Sequence, residues 1–171
     1  MKKNISIFLL ILLTITIWPQ ENNLSFDGVF TTLVIVEETE NGTSPQEERP
    51  LSDGIFNTLW DLNDYIFFDM IPESPITFID KQLDVKPFFN TARGAGADSV
   101  LLIKLDYTIE ELDQNIHLKI DQYHYHLYSL NQLKSVREGE IPLKYDKIIE
   151  KKDKTKVLNK IGAELMKTIY Q

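Results

Sequence analysis

The stretch NTARGAGADSVLLIKLDY, residues 90–107, constrains the fold of this 171-residue chain more than any other part of the sequence. It predicts a helix end, a Gly-Ala-Gly-Ala-Asp turn and a strand that starts at Ser99. Gly94 and Gly96 can take the left-handed conformation that ends a helix and reverses the chain. The strand is apolar on both faces through Ile103, as is typical of a strand covered on both sides. The stretch therefore predicts a helix packed on a buried sheet.

Residues 1–20 have the features of an export signal. A lysine pair precedes a predominantly apolar run from residue 5 to residue 18. This run is shorter than the roughly 20 residues that span a membrane. No Ala-x-Ala cleavage site follows it, so cleavage near residues 16–22 and retention as a short N-terminal anchor are both open. Residues 21–171 are predicted to form a single α/β domain.

The charge of the chain is unevenly distributed. The net charge is −8, but residues 21–143 carry 8 basic and 22 acidic side chains, a balance of −14. Residues 144–171 carry 8 basic and 4 acidic side chains, a balance of +4. An acidic body repels phosphate groups and therefore argues against binding to nucleic acid. The absence of cysteine excludes disulfides, cysteine-ligated zinc and thiol catalysis.

The hydrophobic periodicity predicts the element order β-α-β-α-β-β-β-α. This order is typical of an α/β (α+β) fold, a mixed sheet with an antiparallel hairpin portion packed by two to three helices. The polar segment 38–51, which contains two prolines, is predicted to be a long exposed loop. Predicted strands span 28–38, 65–71, 99–105, 116–130 and 132–141, with a short edge strand at 76–79, and predicted helices span 53–63, 84–93 and 153–170.

The apolar pattern also assigns side chains to strand faces. The run from Leu33 to Val36 is apolar on both faces, which indicates a central strand. In the strand predicted at 116–130 the apolar residues change phase in the middle, so that Tyr123 continues the face that was polar before. A β-bulge near residues 121–122, or a stretch that protrudes past its helices, explains the change.

His124 and His126 are the best candidates for metal ligands, because alternate residues of a strand point to one face. A third ligand would have to come from Tyr128 or from a distant carboxylate, and the alternative is that both histidines are ordinary surface residues. Tyrosine is enriched at protein interfaces. The cluster Tyr123, His124, Tyr125 and His126, expected on a protruding hairpin, is therefore the predicted partner-binding site.

No catalytic signature is present in the sequence. It contains neither a Gly-x-Ser-x-Gly nor a His-Glu-x-x-His motif, and the glycines of residues 94–97 precede a strand rather than a helix, the reverse of a phosphate-binding loop. Acidic runs at residues 37–40 and 110–113 could bind calcium loosely, but neither has the spacing of an EF-hand loop. We therefore predict a protein that is not an enzyme and has no cofactor.

Several of these motifs together resemble a known group of proteins. The sequence Tyr-Ile-Phe-Phe-Asp at 65–69, the helix end Ala-Arg-Gly-Ala-Gly-Ala-Asp at 92–98 and the strand at 100–105 are followed by a hairpin and a C-terminal helix. This combination resembles the envelope α/β domain shared by the TolB amino-terminal domain, the outer-membrane activators of penicillin-binding proteins and CsgG-like proteins. The resemblance implies action through protein–protein contact without an active site. The chain differs from these groups in having no lipidated cysteine, no β-propeller and no evident pore-forming hairpins.

The sequence and the resemblance together predict a non-enzymatic protein of the periplasm or cell envelope that contacts another envelope protein or the cell wall. The expected surfaces are the loop at 38–51, the hairpin that carries residues 123–126, or an exposed sheet edge. The membrane is expected to be contacted only through the N-terminal segment, if that segment is not cleaved. The alternative is a periplasmic protein that binds a metal or a small ligand through His124 and His126, and a third hypothesis is a hydrolase with an unrecognised carboxylate site.

Overall fold

The computed structural model describes residues 30–45, 48–61, 65–70, 72 and 75–170, and the predicted export signal at residues 1–20 lies outside this part of the chain. Short 3-10 turns at 86–88 and 151–153 precede the second and third helices. The elements in chain order are β1 (Phe30–Glu40), α1 (Pro50–Asp61), β2 (Tyr65–Met70), β3 (Phe78–Ile79), β4 (Gln82–Leu83), α2 (Phe89–Gly94), β5 (Ser99–Leu112), β6 (Asn115–Ser129), β7 (Lys134–Glu150) and α3 (Lys154–Tyr170).

A five-stranded mixed sheet in the order β2-β1-β5-β6-β7 forms the centre of the fold. β1 pairs in parallel with both β2 and β5, whereas β5, β6 and β7 form an antiparallel meander. The parallel pairs need crossover connections, and α1 and α2 supply them. The predicted mixed sheet with an antiparallel hairpin portion is thereby confirmed.

The two faces of the sheet are covered by different elements. Helices α1 and α3 cover the face that carries Val34, Val36 and Leu101, which we call the helical face. Helix α2 and the small β3–β4 hairpin cover the face that carries Leu33 and Val100, which we call the hairpin face. The prediction that the first strand and the strand after the glycine turn are buried on both faces is confirmed, because all of these residues are buried.

Helices α1 and α3 pack at backbone contact, and a glycine from each helix makes this possible. A Cβ atom on Gly54 would overlap the main-chain carbonyl of Asn159, and one on Gly162 would overlap the carbonyl of Leu51. Real Cβ atoms do not approach other atoms so closely, so both positions require glycine. The crossing fixes the two helices against each other above the helical face.

Several element boundaries differ from the sequence prediction. β1 runs to Glu40 and α1 begins at Pro50, so the predicted loop at 38–51 is shorter at both ends. Of the short edge strand predicted at 76–79, residues 78 and 79 form a strand, β3, which pairs with β4 in a separate two-stranded sheet and not with the main sheet. β5 continues to Leu112 and β7 to Glu150, both beyond their predicted ends, because the two strands keep pairing with β6 past the apolar core.

The glycine turn and the bulge can be compared directly with their predictions. Gly96 has a φ of +74°, as predicted, whereas Gly94 is the last helical residue of α2 and has no positive φ. The pairing of β6 with β7 shifts register between Ile120 and Gln122, which confirms the predicted bulge. The bulge keeps Tyr123 on the helical face, the same face as Ile120.

Candidate interaction surface

The four residues predicted to bind a partner lie next to one another in β6 but on opposite faces of the sheet. Tyr123 is fully buried on the helical face, where burial raises the pKa of its hydroxyl, and Tyr125 is half-buried on the same side. His124 and His126 point to the hairpin face. The expectation that the four protrude together from a hairpin is therefore wrong, because helix α3 covers the tyrosines and the β3–β4 hairpin covers the histidines.

His126 holds the β3–β4 hairpin on the sheet. Its Nδ1 donates a hydrogen bond to the carbonyl oxygen of Leu83 at 2.7 Å, and the side chain is buried. Its Nε2 lies 3.2 Å from an Oε atom of Glu138, at ion-pair distance but outside hydrogen-bond geometry. Glu138 also accepts hydrogen bonds from the Gln82 side-chain amide of β4 and from the Ser135 hydroxyl. These contacts tie β4 to both β6 and β7.

His124 supports the other strand of the hairpin. The ring of Phe78 in β3 meets the His124 ring edge-on, with 4.9 Å between the ring centroids. The cross-strand neighbours of His124 are Lys104 in β5 and Glu140 in β7. β4 lies over His126 and β3 lies over His124, so the hairpin crosses β6. Of its two strands, β3 is the one nearer to Lys119 along β6.

The structure provides no shared metal position for the two histidines. Within the described ranges no group of three His, Asp or Glu side chains is arranged to hold an ion. A third histidine, His117, lies further along the hairpin face, where its Nε2 contacts Asp146 and its Nδ1 lies 3.8 Å from Glu110. The two carboxylates engage opposite ring nitrogens, so they cannot converge on one ion with this histidine. The hydrogen bond to Asp146 raises the pKa of His117.

The acidic run at the end of β1 is occupied by contacts within the protein. The buried Glu38 carboxylate accepts hydrogen bonds from the Ser52 amide at 3.0 Å and the Ser52 hydroxyl at 2.9 Å, at the start of α1. Glu40 pairs with Lys154 at 2.8 Å, and Glu37 pairs with Lys104. These carboxylates are therefore structural, and the suggestion that they bind calcium has no support from their geometry.

Tyr107 links two of these carboxylates. Its hydroxyl lies 3.2 Å from Glu38 and 3.1 Å from Glu40, within hydrogen-bonding distance of both. Burial, together with the two negative charges, raises the pKa of this hydroxyl. Tyr107 therefore acts as a neutral donor that joins β5 to the end of β1.

Part of the hairpin face is covered by none of the elements among the described residues, and we call this part the open face. It begins at β3 and continues along β5, β6 and β7 away from the hairpin. A shallow cavity of about 450 Å³ lies here, lined in part by Thr39, Asp106, Lys119 and His124. The described residues whose register or alternation places them on the open face are Thr39 of β1, Lys104, Asp106, Thr108 and Glu110 of β5, His117, Lys119 and His124 of β6, and Glu140, Lys144, Asp146 and Ile148 of β7.

The upper border of the open face is apolar. Phe78 is 43% exposed and Ile79 is 46% exposed, although both are large hydrophobic residues. They are adjacent in β3, and Phe78 is contiguous with the cavity through His124. Sequence analysis missed this border, because two apolar residues before an Asp-Lys turn look like an ordinary short strand. Only the packing of the hairpin across β6 shows that they border a polar sheet surface.

Three of the lysines around the start of α3, Lys151, Lys152 and Lys154, are engaged in ion pairs. Lys151 lies 2.8 Å from Glu111, and Lys152 lies 2.7 Å from Glu150. The separate depression beside them, which Asp113 and Asn115 also line, is open to solvent and of mixed charge. The positive balance of the C-terminal segment is therefore partly neutralised by the acidic ends of the neighbouring strands. In the described part of the chain, no helix has the length and apolar character needed to cross a membrane.

Comparisons with known proteins show similarity at the level of the fold. No protein-family model and no curated protein matches the chain. Among solved structures, TolB from Acinetobacter baumannii is 13% identical with a TM-score of 0.41, over 83% of this chain and 28% of TolB. The C-terminal domain of LpoB from Salmonella enterica is 12% identical with a TM-score of 0.43, over 71% of this chain and 87% of that domain.

A lipoprotein from Neisseria meningitidis is 10% identical with a TM-score of 0.40, over 81% of this chain and 97% of that chain. The predicted resemblance to the TolB-like envelope domain is confirmed as a likeness of fold. At these identities and TM-scores the likeness carries nothing about activity, and this chain spans little more than a quarter of the TolB chain.

Proposed function

We propose that this protein is a non-enzymatic protein of the periplasm or cell envelope that acts by contacting another envelope protein or the cell wall. The observation that carries the proposal is the open face. It is part of the five-stranded sheet, it is wide and shallow, and it brings exposed apolar and charged side chains together. Small-molecule sites are enclosed and mostly apolar, whereas a shallow mixed surface suits a macromolecular partner.

The export signal at residues 1–20 supports the proposed location. The proposed contact surface includes only one of the four residues predicted from the sequence, His124, together with the apolar border at Phe78. Tyr125 is half-buried on the opposite face and stays a predicted contact residue for a partner that reaches the helical side. The alternative of metal or small-ligand binding through His124 and His126 is not proposed, because each ring already contacts the β3–β4 hairpin.

The test is in-cell chemical crosslinking of the full-length protein in the envelope fraction, followed by binding of the purified partner or of isolated cell wall. A variant with Asp106→Asn and Glu140→Gln removes two acidic charges of the open face. A matched variant with Asp53→Asn and Glu164→Gln removes two exposed charges of the helices instead. We expect the first variant to bind the partner more weakly and the second to bind normally. If neither a protein nor cell wall binds the purified protein, the proposal is wrong.

A further inference from the structure

In the described part of the chain, β3 pairs with β4 on one side, and its other edge, which we call the free edge, lies beside the open face. Ile79 pairs with Gln82 on either side of a two-residue turn in which Asp80 and Lys81 have φ values of 50° and 71°. In an antiparallel hairpin of this kind the main-chain groups of alternate residues point toward the partner strand and away from it. The amide of Asp84 donates a hydrogen bond to the carbonyl of Thr77. The main-chain groups of Thr77 and Ile79, on either side of Phe78, therefore point toward β4. The main-chain N–H and C=O of the residue between them, Phe78, therefore point outward.

The direction of this edge follows from the two histidines. His126 donates a hydrogen bond to the Leu83 carbonyl of β4, and the His124 ring contacts the Phe78 ring of β3. The next residues of β6 on the hairpin face, beyond the bulge, are Lys119 and His117. The outer edge of β3 thus faces the open part of the sheet. An extended chain that pairs with β3 would lie directly over the open face.

The open face also has a definite charge. Its described acidic residues are Asp106, Glu110, Glu140 and Asp146. Its lysines are Lys119, Lys144, which alternates with the helical-face residues Leu143 and Tyr145, and Lys104, whose charge is already paired with Glu37. His117 is already engaged by Asp146. This excess of negative charge continues the −14 balance of residues 21–143. Charge complementarity favours a cationic partner, both for the rate of encounter and for specificity.

We propose that an extended segment of a partner protein, apolar with flanking lysine or arginine residues, adds as a third strand to the free edge of β3. Its main chain pairs with the N–H and C=O of Phe78, as in other cases of strand addition. Apolar side chains of the segment pack beside Phe78 on the face of β3 that is turned toward the sheet and beside Ile79 on the opposite face, and its cationic side chains reach Asp106 and Glu140 on the open face. This inference rests on the proposed function and deepens it by giving the surface, the binding mode and the chemistry of the partner.

The experiment places the photo-crosslinking amino acid benzoylphenylalanine at position 78 and, as a matched control, at position 133 of the full-length protein. Leu133 is also an exposed apolar residue, at 62%, but it lies in the turn between β6 and β7. After irradiation in the cell, the crosslinked peptide is sequenced and synthesised. Its binding to the purified protein is then measured at low salt and at about 1 M salt, where charges are screened beyond about 3 Å.

We expect an adduct at position 78 and none at position 133, on a peptide that carries lysine or arginine beside an apolar residue. We expect this peptide to bind at least about tenfold more weakly to the Phe78→Ser and Glu140→Lys variants than to the unchanged protein, as for a contact near the centre of an interface. The Leu133→Ser variant should bind normally, and high salt should weaken binding. Thermal unfolding of Phe78→Ser checks that the fold is kept, and Glu140→Lys leaves β3 itself unchanged.

Three results would overturn the inference while leaving the proposed function intact. The first is that chemical crosslinking of the full-length protein captures a specific envelope partner, but benzoylphenylalanine at position 78 forms no adduct. The second is an adduct at position 78 to a second copy of this chain or to lipid. The third is a neutral or acidic peptide, or a peptide whose binding does not respond to the variants and to salt. If no partner is captured on any part of the protein, both the inference and the proposed function fail.

Discussion

The Glu38→Ala substitution tests whether a strand carboxylate fixes the start of α1. Glu38 lies in β1 and is 2% exposed, yet it accepts hydrogen bonds from the Ser52 amide and hydroxyl at 3.0 and 2.9 Å. The Leu51 amide at 3.4 Å and the Tyr107 hydroxyl at 3.2 Å also contact this carboxylate. The first amides of a helix have no partner within the helix, and a negative charge at this end stabilises them. Glu38, although it belongs to another element, therefore accepts the hydrogen bonds that an N-cap side chain usually accepts at the start of a helix.

The size of the effect follows from these contacts. Hydrogen bonds to a charged group contribute about 1.5–3 kcal/mol each, and a buried donor left without a partner costs about 1–3 kcal/mol. The two well-formed bonds from Ser52 give an expected loss of about 3–5 kcal/mol, whereas the Tyr107 hydroxyl keeps Glu40 as an acceptor. The Glu38→Gln variant keeps the shape and one acceptor oxygen, so we expect it to lose about 1–2 kcal/mol.

The measurement is the free energy of unfolding from denaturant titration followed by circular dichroism. The control is Glu164→Gln, because the Glu164 side chain is 58% exposed and pairs with Lys167 of the same helix. This control should change the free energy of unfolding by less than about 0.5 kcal/mol. A loss below about 1 kcal/mol for Glu38→Ala would show that water or other groups replace the carboxylate. The argument that Glu38 fixes the start of α1 would then be refuted.

Two further predictions concern the helix crossing and the open face. Gly54→Ala and Gly162→Ala should each destabilise the protein by about 2 kcal/mol or more in thermal unfolding, because the added methyl group forces the helices apart. Gly94→Ala is the control and should be close to neutral, because the space around its Cβ position is open. Equal effects at all three positions would contradict the close crossing. Asp146→Asn should lower the pKa of His117 measured by NMR, because the hydrogen bond to Asp146 is the main cause of its rise. The ion pair contributes its full stabilisation of the folded state below the ordinary histidine pKa, and this stabilisation is lost as the pH rises through the raised pKa. An unchanged His117 pKa in the Asp146→Asn variant would contradict the pairing.

The parts of the fold that could be predicted from the sequence depend on local periodicity. Leu33 and Val34 point to opposite buried faces because strand side chains alternate whatever the neighbouring strands are. The bulge near residue 121 was also visible, because a change of phase within one strand needs no knowledge of its partner. The stripe of α3 around Leu158 and Leu165 follows from helical spacing in the same way.

The parts that could not be predicted depend on which elements meet. Tyr123 looked like a contact residue because nothing in its own strand shows that α3 covers it. His126 looked like a metal ligand because its partner, the Leu83 carbonyl, lies 43 residues away in a hairpin. That hairpin turns at Asp80 and Lys81, which adopt a positive φ without glycine and so give no turn signal of the usual kind. The candidate surface therefore became visible only in three dimensions.

The location of the open face bears on where function should be sought in this fold. In parallel α/β sheets, ligands usually bind beyond the carboxyl ends of the strands. Here the carboxyl end of β1 is filled by the protein itself: Glu38 caps α1, Glu40 pairs with Lys154, and Glu37 pairs with Lys104. A ligand at that position would have to break the largely buried Glu37–Lys104 ion pair and uncap a helix, each at a cost of several kcal/mol. The antiparallel half of the sheet carries ion pairs on its hairpin face too, such as that of His117 with Asp146, but these side chains are partly exposed and cap no helix. We therefore expect contact with a partner there, along β3.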